Sequence, residues 1–142
     1  MNSIREELVV LDTNAFVFAL RSDPDHPACE TLLFDRLGEI NVYMPLQVFL
    51  ELQRNLHADE MGVAFLALSR AGTVTWDYAP PPLEAVKQWE ARGARKGDAV
   101  IAALLEARNI RYLISENRHF LLELGNLPFQ VISSNEALRL LS

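Results

Sequence analysis

One cysteine stands in 142 residues, so Cys29 has no partner for an internal disulfide. His26, His57 and His119 are isolated from one another and from Cys29, and no Cys/His spacing describes a zinc site. No apolar run approaches the roughly 20 residues that a membrane span requires, and the opening MNSIREEL has no apolar signal-type core. These absences lead us to expect a cytoplasmic chain with no membrane segment. A positive net charge is also lacking: 13 Lys and Arg face 19 Asp and Glu, for a formal charge of −6. Broad, sequence-blind attraction to a polyanion is excluded.

Half of the residues are apolar, enough to bury a sizeable core, and the length fits a single domain spanning residues 1–142. The charge is uneven. Residues 85–119 hold seven cations (Lys87, Arg92, Arg95, Lys96, Arg108, Arg111, Arg118) against four acids, an excess opposite in sign to the whole chain. This allows a local contact with a polyanion, or simply solvated helix faces.

Short apolar, branched runs occur at Leu8 to Leu11, Ile40 to Met44, Thr73 to Trp76, Tyr112 to Ile114 and Phe129 to Ile132. Helically spaced segments separate them: Ala15 to Leu20, Ala28 to Leu37, Leu46 to Leu56, Met61 to Ser69, Leu83 to Arg92, Asp98 to Ala107 and Glu136 to Leu141. Alternation of this kind predicts an α/β fold with a five-stranded parallel sheet between two helical layers, because parallel neighbours are joined by helical crossovers. Ligands in such sheets gather at the carboxyl ends of the strands.

Four oxygen-bearing positions fall near that edge. Asp12 ends the first strand and precedes Thr13 and Asn14, which suits either a helix cap or a site acid. Glu51 lies in VFLELQRNL between Leu50 and Leu52, with Gln47, Arg54 and Asn55 on its helical face, so an ion pair with Arg54 competes with a functional role. Asp98 opens AVIAALLEA, where it serves the helix dipole or is rigidly aimed into a site. In YLISENRHF, Ser115 is placed to cap, while Asn117 or Glu116 projects from the edge that receives Asp12. Oxygen ligands from separate segments, without Cys or His, suit Mg²⁺ or Mn²⁺, and two such ions can activate water for phosphodiester hydrolysis.

VVLDTNAFVF, PLQVFLEL, KGDAVIAALLEARNI and YLISENRHF, in this order, resemble the PIN domain, a nuclease fold that includes VapC-type toxins and RNA-processing nucleases. The resemblance implies a strand order of 3-2-1-4-5 and a metal site of Asp12, Glu51, Asp98 and Asn117, with Asn14 lining the same pocket; Ser115 and Glu116 stand beside it as supporting residues. Asn117 stands where many members carry Asp, so the site would have three certain charges. Arg95, Lys96 and Arg118 flank it as candidate phosphate contacts. An RNA substrate, a small antitoxin and a homodimer are implied; the apolar face of the early helices, with Phe16, Phe18 and Leu32, is a candidate dimer surface, although such residues are more often core.

Other readings are weighed on named residues. A haloacid-dehalogenase phosphatase needs a second Asp where Asn14 stands, and a receiver domain needs an acidic pair and a late Lys that the chain lacks. A free-standing RNA-processing nuclease and a non-catalytic binding module remain open.

Overall fold

The computed structural model describes residues 3–116 and 123–142. Five strands, β1 (Leu8–Leu11), β2 (Asn41–Pro45), β3 (Thr73–Asp77), β4 (Tyr112–Ile114) and β5 (Gln130–Ile132), form one parallel sheet in the order β3-β2-β1-β4-β5. The helices are α1 (Thr13–Leu20), α2 (Pro27–Asp35), α3 (Leu46–Asn55), α4 (Ala58–Leu68), α5 (Leu83–Ala91), α6 (Lys96–Ala107) and α7 (Ser134–Leu141). The strand order and the two helical layers are those expected.

The chain starts in the middle of the sheet, winds outward from β1 to β3, then crosses back to β4 on the other side of β1. Right-handed crossovers put the helices of those two directions on opposite faces. The reversal leaves a crevice at the carboxyl ends of β1 and β4, the place where doubly wound sheets receive ligands. Val9, Val10 and Leu11 in the central strand are buried, as are Leu113 and Ile114 beside them, which explains why both runs are continuously apolar rather than alternating.

Helix α6 is held close by small side chains. Ala99, Ala102 and Ala103 are fully buried together with Leu105, and the helix packs on both α5 and α3. It begins two residues earlier than expected, at Lys96, so Asp98 lies within its first turn rather than at its start. Gly93, with φ of +106°, makes the turn out of α5 in a conformation that other residues rarely adopt.

One local alternative is decided. Phe16 and Leu32 are each 1% exposed and belong to the core, and Phe18 stacks on His26 with ring centroids 4.0 Å apart, so these residues do not form an open face. Exposed aromatic surface lies elsewhere, where Phe65, Trp76 and Tyr78 surround Phe49. Cys29 is buried and accepts from the Ser134 hydroxyl at 3.4 Å; burial pushes its thiol up to about 12, so it is unreactive.

Candidate active site

Register creates the site. Leu11 pairs with Ile114, so the next residues on two parallel strands, Asp12 and Ser115, emerge side by side. Backbone bonds continue the ladder one step further, from Asp12 N to Ile114 O at 2.8 Å and from Ser115 N to Ile132 O at 2.9 Å. The Ser115 hydroxyl donates to Asp12 Oδ2 at 2.9 Å, and the Thr13 backbone N–H donates to Oδ1 at 2.8 Å. Asp12 therefore caps α1 with one oxygen while the other is held by Ser115 across the two strand ends.

Asn14 ties the first turn of α1 to the exit of β4. Its amide donates to Ser115 Oγ at 3.2 Å, and its Oδ1 accepts from the Glu116 backbone N–H at 3.1 Å. The Glu116 carboxylate is engaged elsewhere: Oε2 accepts from Ser134 N at 3.0 Å, at the start of α7, where a negative charge is favoured. Asn117, Arg118 and His119 lie outside the described residues.

Glu51 enters from α3. Each of its oxygens accepts from a neutral donor, Oε2 from the Thr13 hydroxyl at 2.7 Å and Oε1 from the Gln47 amide at 2.9 Å. The ion pair with Arg54 that spacing allowed is not formed among the described residues, and Asn55 instead donates to the Glu51 backbone carbonyl at 2.7 Å. Thr13 thus serves both acids, its N–H on Asp12 and its hydroxyl on Glu51. Sequence reasoning treated Thr13 only as a capping residue, since nothing in local spacing connects it to a position 38 residues away.

The acids sense one another. Burial, first, pushes the Asp12 carboxyl up to about 6; the Ser115 and Thr13 donors oppose this, and the charges on Glu51 and Asp98 add to it. Asp98 is also raised, by burial and then by the Glu51 charge, with Arg95 opposing. Arg95 is the N-cap residue of α6 and Lys96 its first residue, both exposed. Two other members of the basic stretch are structural: Arg108 pairs with Asp77 at 3.1 Å, and Arg92 lies over the Trp89 ring and donates to Gly125 O.

Among the described residues, no three His, Cys, Asp or Glu side chains converge into a ready-made metal cluster. What is present is a set of hard oxygen donors, with Asp12 and Glu51 held by neutral groups rather than by Lys or Arg. That chemistry fits a hard divalent cation better than a soft or redox-active one.

A parallel α/β domain with carboxylates at its topological switch point is the class that fold and site define. The PIN domain family model matches residues 9–122, and the chain belongs to that family. Among solved structures the chain is similar to one described as VapBC2 from Rickettsia felis bound to a DNA fragment from their promoter, with a TM-score of 0.59, 22% identity, and coverage of 87% of this chain and 98% of that one. It is also similar to PAE2754 from Pyrobaculum aerophilum, with a TM-score of 0.55, 15% identity, and coverage of 99% and 98%. At these identities the likeness speaks for the fold. No curated protein sequence matches.

Proposed function

We propose that the chain is a divalent-metal-dependent endoribonuclease that hydrolyses RNA phosphodiester bonds, and that it acts as the toxin of a toxin–antitoxin pair. The observation that carries this reading is the placement of Asp12 and Glu51 on either side of Thr13, oriented by neutral donors, at the crevice between β1 and β4. Carboxylates arranged in this way keep their charge available for a cation. Asp12 and Asp98 would hold Mg²⁺ or Mn²⁺ together with Asn117, and Glu51 directly or through water. When bound, such an ion supplies an activated water and stabilises the departing oxygen.

The chain's own residues supply orientation and charge. Ser115 and Thr13 fix Asp12, Gln47 and Thr13 fix Glu51, and Asn14 keeps α1 registered on the end of β4. Arg95 and Lys96, at the start of the helix that carries Asp98, would meet the phosphate backbone, and Arg118 would add a further contact. No side chain is required as a covalent nucleophile. The test is cleavage of RNA in Mg²⁺ or Mn²⁺ by the wild type, Asp12→Asn and Asp98→Asn. Undiminished, chelator-insensitive cleavage by both variants would overturn the mechanism.

The toxin role rests on family membership and on the solved VapBC2 complex to which the fold is similar. A small antitoxin would cover the acidic edge and place an Arg or Lys against the carboxylates, and the active form would be a homodimer in the cytoplasm. Expression that leaves growth unaffected, with no small partner recovered from the native host, would count against this role and in favour of a free-standing RNA-processing nuclease. Binding of RNA without cleavage would instead identify a non-catalytic module.

A further inference from the structure

We infer that Gln47 and Gly97 are positioning residues for the Glu51 carboxylate; the inference rests on the reading above, in which Glu51 belongs to a cation site. Glu51 has two oxygens and about four acceptor positions, and the protein fills one position on each oxygen. Thr13 does so from α1 and Gln47 from within α3, at 2.7 and 2.9 Å. The plane of the carboxylate is set by both, and acceptor capacity remains for an ion or its water.

Gly97 sits against the same oxygen. A Cβ at this position would lie 3.2 Å from Glu51 Oε1 and 3.7 Å from Gln47 Nε2, tight enough that the carboxylate would have to give way. The backbone does not require glycine here, since Gly97 is not among the residues with positive φ. Its place is the first turn of α6, and glycine is among the poorest helix residues. A residue unfavourable to the helix and unnecessary to the turn is explained by what its missing side chain leaves open, the space beside Oε1.

Gln47 has a parallel anomaly. Among the described residues it is the one polar side chain lining an apolar cleft of 490 Å³, whose other walls include Leu46, Leu50, Leu83 and Val100. An apolar residue of equal size would suit that cleft as well or better, but it would have no hydrogen to give to Glu51. Donors that orient a metal-binding side chain from outside typically change metal affinity by roughly 10- to 100-fold when lost.

The test is Mn²⁺ binding to the full chain, followed by the electron paramagnetic resonance signal of free Mn²⁺, together with the thermal midpoint of each metal-free variant. Gln47→Met keeps the volume and removes the donor, and Gly97→Ala fills the space beside Oε1. Each is expected to weaken Mn²⁺ binding by about tenfold or more; Gln47→Met, which leaves Oε1 without its donor, should melt below the wild type, and Gly97→Ala, which gains helix propensity, at or above it. Leu50→Ala, which trims the same cleft without touching Glu51, is expected to leave Mn²⁺ affinity unchanged. Binding that is lost in Asp12→Asn but retains wild-type affinity in both Gln47→Met and Gly97→Ala overturns this inference while leaving the cation site standing. A wild-type chain that binds no Mn²⁺, or an Asp12→Asn variant that binds as tightly, overturns the cation site and the positioning role with it.

Discussion

The Thr13 hydroxyl donates to Glu51 Oε2 at 2.7 Å while the backbone N–H of the same residue donates to Asp12 Oδ1, so one buried threonine sets the orientation of two acids from different elements. Thr13→Val keeps the shape and removes the hydroxyl. The lost donor leaves a partly buried carboxylate oxygen without its partner, which costs about 1–3 kcal/mol in stability. We expect RNA cleavage to fall by roughly 10- to 100-fold, as for other groups that orient metal-binding side chains. Thr13→Ser, which retains the hydroxyl, should recover most of the activity. Equal loss in both variants would show that the methyl group, and hence packing, is what matters.

Asp12 gives a pH dependence with a definite sign. Its carboxyl is raised to about 6 in the folded chain, chiefly by burial, so the folded state holds this proton more tightly than the unfolded state. Stability then falls as pH rises between about 4 and 6 and stays lower above that range. Because Asp12 keeps part of its surface in water, the loss is on the order of 1–2 kcal/mol rather than the full value implied by the displaced pKa. Asp12→Asn keeps one acceptor oxygen, enough for the Thr13 N–H, replaces the oxygen facing Ser115 with an amide that can donate to the hydroxyl, and removes the charge. At pH 8 it should melt above the wild type in chelator, and the difference should vanish near pH 4. Adding Mg²⁺ or Mn²⁺ should raise the melting temperature of the wild type and not of the variant. A variant that is less stable than the wild type at pH 8 would rule out this account of Asp12.

Much of this arrangement was legible from residue order alone. The continuous apolar runs around Val10 and Leu113 are readable because strands buried on both faces do not alternate, and the crossover rule then fixes their parallel sense. Asp12 was legible because it ends such a run. Its contact with Ser115 was not, because it depends on the register of β1 against β4, which puts Leu11 opposite Ile114. Glu51 shows the same division. Helical spacing brought Gln47 into view at i−4 but offered Arg54 at i+3 just as readily, and only the packing of α3 against α1 and α6 selects Gln47 and Thr13. For Phe16 and Leu32 the sequence leaves both core and surface open, because a helical pattern cannot say how many layers cover it; both are core.

Ser115→Ala tests the strand-end contact. Without the hydroxyl, Asp12 loses a donor that holds its carboxyl down, so its pKa should rise above the value of about 6 that the intact chain has. Ion binding competes with protonation at this oxygen, and the acid limb of the pH–rate profile should move to higher pH while the rate at the plateau changes less. A uniform drop at every pH, with the limb in place, would mean that Ser115 does something other than bias Asp12.

Glu116 separates a structural acid from a site acid. Its Oε2 accepts from Ser134 N at the start of α7, so the charge interacts with the end of a helix and with the Cys29 thiol, whose pKa it helps to raise. Glu116→Ala removes that acceptor and should cost about 1 kcal/mol, as for loss of a helix cap. Glu116→Gln keeps an acceptor and should recover most of that stability. Neither variant should shift the Mn²⁺ concentration at half-saturation. If Glu116→Gln retains the wild-type melting temperature yet binds Mn²⁺ more weakly, the carboxylate is contributing charge to the cation, and the acids of the site would then be Asp12, Glu51, Asp98 and Glu116.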